Sequence, residues 1–374
     1  MLGAAAVAAL LWLAVLVVPW QPWRVVEQLP EGAATLPDGA VTVLMPARNE
    51  ASVIGRSLAA LKAQGSGLKV IVIDDASGDT TAEVARAAGL ADLSLIGSTS
   101  LPADWTGKLW ALEQGRAQIR TPYTLLVDAD IELAPGVAGR LYAMARADDL
   151  ALVSVMAAPA MRGFWDRWFM PAFIYFFKLL YPFRLANRRT SRIAAAAGGC
   201  VLVRTQTLSD IGGFGALRGA VIDDCTLARH VKRAGGATWI GVSRDVVMLR
   251  ANTLKSLWMM VARTAFAQLR YSYLLLLACT AIMLLVFAVP LWGLVAGGTA
   301  VRFAGAAAVT LMAASYRPTV RFYGQSGWVA LTLPVIGLAF LAMTYTSALW
   351  YARGVRTQWK GRAYARKGPV GRNS

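Results

Sequence analysis

The strongest limit on how this chain can fold is an apolar run at each end. Leu2 to Trp20 carries no charged residue, and the chain turns apolar again from Tyr271 to Tyr351. A run of about 20 apolar residues can cross a bilayer, so residues 1–22 read as a transmembrane anchor. The run lacks a basic leader and a small-residue cleavage site, which argues against a cleaved signal peptide. Residues 251–272 read as a membrane-boundary segment and 273–352 as a region of two or three spans. Tyr273–Gly297 and Trp328–Trp350 are the good candidates, and Gly298–Ser315 is weaker because it holds Arg302 and many alanines. Between these regions, residues 38–250 have the character of a soluble domain. The expectation is a soluble domain held at a membrane by both ends.

Charge supports that organisation. The formal net charge of +17 is concentrated in two acid-free clusters. One holds Lys178, Arg184, Arg188, Arg189 and Arg192. The other is the basic tail 353–374, with Arg353, Arg356, Lys360, Arg362, Arg366, Lys367 and Arg372. Basic clusters beside spans point to anionic lipids and the cytoplasmic side. Nucleic acid is the rival partner, but no nucleic-acid-binding signature accompanies the charge. Arg24 follows the anchor with no Lys or Arg before it, which turns the domain inward. The expected location is a bacterial inner membrane with the soluble domain cytoplasmic. A cytoplasmic tail then needs an even number of later spans, so Gly298–Ser315 is expected not to cross fully. Cys200, Cys225 and Cys279 have no metal-ligand spacing, and the single histidine, His230, argues against a Ser-His-Asp triad.

Within the middle segment, strand and helix alternate. Strands are expected at 40–47, 68–75, 92–97 and 123–130, and helices at 51–64, 80–88 and 109–119. Apolar strands in that alternation argue for an α/β fold with a mostly parallel sheet and helices on both faces. Ligands of such sheets sit at the carboxyl ends of the strands. The polar clusters fall there: "ARNE" after the first strand, Asp74–Asp75 after the second, Asp128–Asp130 after the fourth. Further on, Phe164–Phe183 holds ten aromatics in twenty residues together with Asp166, Arg167 and Lys178. It reads as an in-plane interfacial helix, with a buried core helix as the alternative.

Four clusters can carry chemistry. In an extended strand, Asp128 and Asp130 would point to one side about 6.5–7 Å apart. Such a pair suits a bridging Mg²⁺ or Mn²⁺, unless it is a solvated turn. Asp75 has no evident structural duty and could accept from a uracil N–H or a ribose hydroxyl, whereas Asp79 reads as a cap. Lys108 at a helix start opposes the dipole unless an anion such as a diphosphate sits there, or unless it is simply solvated. Asp223 and Asp224 open a helix, where only one acid is needed as a cap and the other could be a general base. Gly198–Gly199, before Cys200, offers close backbone approach to a ligand.

Taken in order, "PARNE", "IDDASGDTT", Gly107–Lys108, "DADIEL", "GGC", "IGGF" and "DDCTLARHVKRAGG" resemble glycosyltransferase family 2, inverting enzymes of GT-A nucleotide-diphospho-sugar transferase fold. The likeness covers roughly Val41 to Arg250. Within the family the chain looks most like the hopene-associated glycosyltransferases, and more loosely like ceramide glucosyltransferase-like enzymes; the tail "WKGRAY" (359–364) fits as well. The resemblance implies that Pro46, Ala47, Arg48, Glu50 and Asp75 line a nucleotide pocket with Asp74 beside them. Lys108 would meet the diphosphate, Asp128 the ribose or metal, and Asp130 the metal. Asp224 would be the base, although Asp223–Asp224 replaces the usual Glu-Asp or Thr-Asp. Membrane-bound relatives often carry Gln or Arg, two residues, then Arg-Trp. Here Gln268, Arg270 and Tyr271 are one residue short with Tyr for Trp, so Arg270 is left as a diphosphate or acceptor contact or a boundary marker.

The expected function is transfer of one sugar from a nucleotide sugar, UDP-linked by expectation, to a membrane lipid hydroxyl, in hopanoid or related glycolipid synthesis. Three alternatives stand beside it. A processive polysaccharide synthase would need more spans and the complete Gln-x-x-Arg-Trp motif. A non-catalytic sugar-nucleotide-binding membrane protein would dispense with the metal and base residues. A transporter would need many more spans.

Overall fold

The computed structural model describes residues 1–32, 34–359 and 362–365; Lys360, Arg366, Lys367 and Arg372 of the basic tail lie outside the described residues. The chain divides into two compact units. One comprises Val25–Met161 and Leu180–Ala251, the other Met1–Arg24, Arg162–Leu179 and the chain from Asn252 onward.

The first unit is an α/β sandwich around one eight-stranded sheet. Its strands are β1 (Val41–Ala47), β2 (Leu68–Asp74), β3 (Leu93–Gly97), β4 (Tyr123–Val127), β5 (Ile131–Leu133), β6 (Leu150–Ala158), β7 (Cys200–Arg204) and β8 (Ala237–Met248). They lie in the order β3-β2-β1-β4-β7-β6-β8-β5. Parallel pairing joins β1 to β2 and β4, β2 to β3, and β6 to β8. Against the expectation of a mostly parallel sheet, β7 runs antiparallel to both β4 and β6, and β5 antiparallel to β8. The sheet is mixed because β7 enters between the two parallel blocks and opposes each of them.

Both faces are covered, which is why the strands are apolar throughout rather than alternating. Val41, Val43 and Met45 of β1 face the helices Ile54–Lys62 and Val137–Ala147 through Leu58, Leu61 and Leu141. Leu44, Ile71, Ile73 and Leu126 point the other way, onto Leu109 and Leu112 of helix Gly107–Arg116 and Leu227 and Val231 of helix Asp223–Arg233. Gly115 lets the first of these helices lie close on the sheet: a Cβ there would meet Ile73 Cδ1 at 2.8 Å. The two helices approach the same end of β1 and β4, and that convergence builds the site.

The second unit is helical. Tyr273–Ala296 and Gly327–Ala352, of 24 and 26 residues, are long and apolar enough to cross a membrane. Thr299–Phe322 is helical too, and buries Ala308, Met312, Ser315 and Tyr316. The N-terminal helix is shorter than expected: it spans Leu2–Val17, 16 residues, or about 24 Å at 1.5 Å per residue. It stops because Val18 is extended (φ −53°, ψ 139°) ahead of Pro19, as a residue before proline prefers. The aromatic helix spans Phe164–Leu180 and packs inside this unit: Phe169 and Phe176 approach Phe340, and the Tyr175 hydroxyl bonds Ser315 Oγ at 2.6 Å. Lys178 departs from its reading as a surface charge: it is 2% exposed and donates to the Arg24 carbonyl. The chain continues into strands Val355–Trp359 and Arg362–Ala365.

Leu125 is fully buried in β4, the strand that carries the acidic turn. Leu125→Ala should destabilise the α/β unit by about 2–5 kcal/mol, read as a lowered thermal midpoint of the full chain in detergent. An unchanged midpoint would contradict the central position of β4.

Candidate active site

The carboxyl ends of β1 and β2 are stitched together. Arg48 donates to the Asp75 and Ala76 carbonyls at 2.5 and 3.1 Å and lies 3.9 Å from the Asp75 carboxylate. Asn49 accepts from the Gly78 N–H and donates its own N–H to Ser77 Oγ, and the Glu50 N–H donates to Thr81 Oγ1. Asp74 accepts from the Ser77 hydroxyl, and Asp79 accepts from the Ala51 and Thr81 N–H groups; it holds the turn from one residue before the helix N-cap, which is Thr80 and not Asp79 as expected. Pro46 and Ala47 close β1 under this loop, and Ala47 accepts from the Asp75 N–H. Asp75 is therefore nearly buried (3% exposed) against Arg48.

Asp128 and Asp130 do not lie in the strand. β4 ends at Val127, and the two acids occupy the turn before β5, where the Ile131 N–H bonds the Asp128 carbonyl. The same-side geometry of an extended strand does not apply to them. Asp128 Oδ1 meets Lys108 Nζ at 2.7 Å, while Asp130 Oδ2 lies 4.0 Å from Arg250 Nε. Helix Ile54–Lys62 braces the turn from below: buried Ser57 donates to the Ala129 carbonyl at 2.7 Å.

Opposite stands the opening of helix Asp223–Arg233. Asp224 accepts from the Gly198 N–H at 2.9 Å and from the Cys225 N–H at 2.7 Å. Lys108 Nζ is 4.0 Å from Asp223. The Gly198 backbone runs directly beside both groups: a Cβ there would lie in van der Waals contact with Asp224 Oδ2 and Lys108 Nζ, each at 3.4 Å. Burial, and then the neighbouring Asp223 charge, push the Asp224 carboxyl up to about 6, against the pull of the two N–H groups and Lys108. Burial works to lower the Lys108 ammonium, but the charges of Asp128 and Asp223 outweigh it and hold it protonated. Pro46, Lys108, Asp128, Gly198, Asp223 and Asp224 line one cleft, open to solvent, whose remaining walls are apolar.

The structure thus gathers Asp128, Lys108, Asp223, Asp224 and Gly198 around one opening, with Arg48, Glu50, Asp74 and Asp75 on the adjoining strand ends. Gly199 lies in the turn just before β7, its carbonyl accepting from the Asp128 N–H. Cys200 opens β7 opposite Val127 with its side chain fully buried, and burial followed by the Asp128 charge pushes its thiol up to about 12. Gln268, Arg270 and Tyr271 belong to the helical unit, where helix Leu254–Gln268 ends; Tyr271 stacks on Tyr351 at 4.4 Å. Among the described residues, no group of three or more His, Cys, Asp or Glu side chains is arranged to hold a metal ion. Asp128 and Asp130 are nevertheless oxygen donors of the kind that hold Mg²⁺ or Mn²⁺, which commonly needs only one or two carboxylates when substrate phosphates supply the rest. Sequence reasoning missed Arg250, which ion-pairs Glu50, and Ser57. A basic residue just past the end of a strand was the available signal for Arg250; an interior helix serine gives none.

The mixed α/β sheet with its acidic strand ends defines a GT-A-type fold. Over 94% of its length the chain is similar to a mannosyltransferase of Pyrobaculum calidifontis solved in complex with GDP-Man and Mn²⁺, at TM-score 0.55 and 20% identity, covering 99% of that chain. Residues 42–212 match the family described as Glycosyl transferase family 2. A 4,4'-diaponeurosporenoate glycosyltransferase of Staphylococcus aureus (strain USA300) is 38% identical over 92 residues, 25% of this chain and 24% of that protein. The Staphylococcus haemolyticus (strain JCSC1435) protein of the same name is 34% identical over 94 residues, 25% of each chain. The chain spans about a quarter of the length of these curated relatives. The family match runs from β1 to β7 with their acidic strand ends, and stops before Asp223 and Asp224.

Because Asp223 raises the Asp224 carboxyl, Asp223→Asn should bring the Asp224 midpoint down from about 6. Lys108→Met should move it up. Carboxyl ¹³C NMR titration of selectively labelled protein measures both, and equal midpoints in all three forms would show that the groups do not share a cleft.

Proposed function

We propose that the chain transfers one sugar from a nucleotide sugar to a hydroxyl of a membrane lipid, with inversion at the anomeric carbon. The observation that carries this reading is Asp224, a carboxylate of raised pKa held by two backbone N–H groups beside a lysine that is itself paired with a strand-end aspartate. Such a group suits proton removal near neutral pH. The acceptor's hydroxyl proton passes to Asp224 as its oxygen attacks the anomeric carbon. The bond from that carbon to the diphosphate breaks, and the nucleoside diphosphate leaves with the electron pair. Lys108 faces the departing charge, and the helix start it occupies favours an anion. Arg48, Glu50, Asp74 and Asp75, with Pro46 and Ala47, frame the nucleotide end. Asp128 and Asp130 would hold Mg²⁺ or Mn²⁺, which neutralises diphosphate charge when bound.

UDP and GDP are both candidate carriers: the first follows from the family resemblance, the second from the Pyrobaculum calidifontis neighbour's GDP-Man. The two long apolar helices support a membrane location, and with it a lipid acceptor. The cytoplasmic placement of the domain, the contact with anionic lipids and the in-plane role of the aromatic helix rest on the charge and aromatic patterns. The hopanoid or related glycolipid acceptor rests on the resemblance alone.

Asp224→Asn should lower turnover by about 10²–10⁴-fold while leaving donor affinity within about twofold, measured by transfer of labelled sugar and by calorimetry; full retained turnover would refute the base assignment. The base must be ionised, so the native rate should fall about tenfold per unit as pH drops below about 6. EDTA should weaken nucleotide binding, and added Mg²⁺ or Mn²⁺ should restore it. Binding indifferent to both would remove the ion from the scheme.

A further inference from the structure

Glu50 is 6% exposed, so its carboxylate is poorly placed to touch a donor directly. A carboxylate buried to that degree is costly unless a cation meets it, and Arg250 does so through a guanidinium N–H. Arg250 follows β8, and its Nε also lies 4.0 Å from Asp130. The backbone repeats the connection, because the Leu249 N–H donates to the Asp130 carbonyl at 2.7 Å. One side chain thereby joins the loop after β1, which carries Arg48, to the turn after β4, which carries Asp128. These are the two walls framing the nucleotide end.

We infer that Arg250 is a positioning residue for the donor: by tying Glu50 to Asp130 it fixes the spacing of the two loops before the nucleotide arrives. This rests on the donor reading above. Its physical basis is preorganisation, since loops already held in place give up less freedom when a ligand binds. It also gives buried Glu50 a duty the motif alone does not explain, as the anchor of Arg250 and not a ligand of the nucleotide.

Arg250→Ala alone would remove the cation that meets buried Glu50 and could unfold the loop. The decisive variant is therefore Glu50→Gln with Arg250→Met, which removes both charges together and should keep the native thermal midpoint. Full-length native, double-variant and Arg250→Lys proteins in detergent are titrated calorimetrically with UDP and with GDP, each with Mn²⁺. The expected result is about tenfold weaker binding of the preferred nucleotide by the double variant, the scale of one charge-assisted hydrogen bond, with partial rescue in Arg250→Lys. Native-like affinity in the double variant would overturn the inference while leaving the donor reading intact. Failure of the native chain to bind either nucleotide would overturn both.

Discussion

The contact on which the site depends is the ion pair of Lys108 with Asp128. Asp128 reaches the cleft from the turn after β4, and Asp223 and Asp224 reach it from one helix start; without a cation among them their charges would push it apart. Lys108 offsets that repulsion from the first turn of helix Gly107–Arg116, where a cation by itself opposes the helix dipole. Thr106 caps that helix by accepting from the Leu109 N–H, so the lysine is held by a fixed start and not by a frayed one. The close seat of Gly115 on β2 then sets the helix, and with it the ammonium, against the strand ends. A residue unfavourable for its own helix is retained by the tertiary charges it answers. In the proposed reaction the same ammonium meets the leaving diphosphate.

Much of the α/β unit was legible because its signals are local. The apolar runs of β1, β2 and β4 end at Ala47, Asp74 and Val127, beside the polar clusters that the motifs mark. The order of the strands was less legible. Cys200–Arg204 forms the apolar strand β7, but nothing in five residues states that it runs against both neighbours. The acidic pair was found but misplaced: strand periodicity extended β4 to Asp130, whereas the chain turns at Asp128 so that β5 can pair with β8. Arg250 stands where a basic residue follows a strand, but its pairing with Glu50, 200 residues away, is not a local signal. Lys178 was misread because charge patterning cannot tell a solvated lysine from one that bonds a buried carbonyl.

The helical unit shows the same limit in another form. Hydropathy counted Leu2 to Trp20 as one run, yet Pro19 forces Val18 out of helical geometry and ends the helix at Val17. The aromatic segment did become a helix, but Phe169, Tyr175 and Lys178 are buried within its unit while Phe164 and Leu180 remain exposed. Composition located these segments; which face each buries was decided by neighbours far away in sequence.

The central claim, inverting transfer of one sugar to a lipid hydroxyl, is tested most directly by product analysis. The full chain in native lipid extract would be incubated with radiolabelled UDP- and GDP-sugars and Mg²⁺ or Mn²⁺, and the labelled lipid examined by NMR for its anomeric configuration. The account predicts label in the lipid fraction as a single sugar with configuration opposite to that of the donor. Label in a polymer, retained configuration, or no transfer from any donor would contradict it.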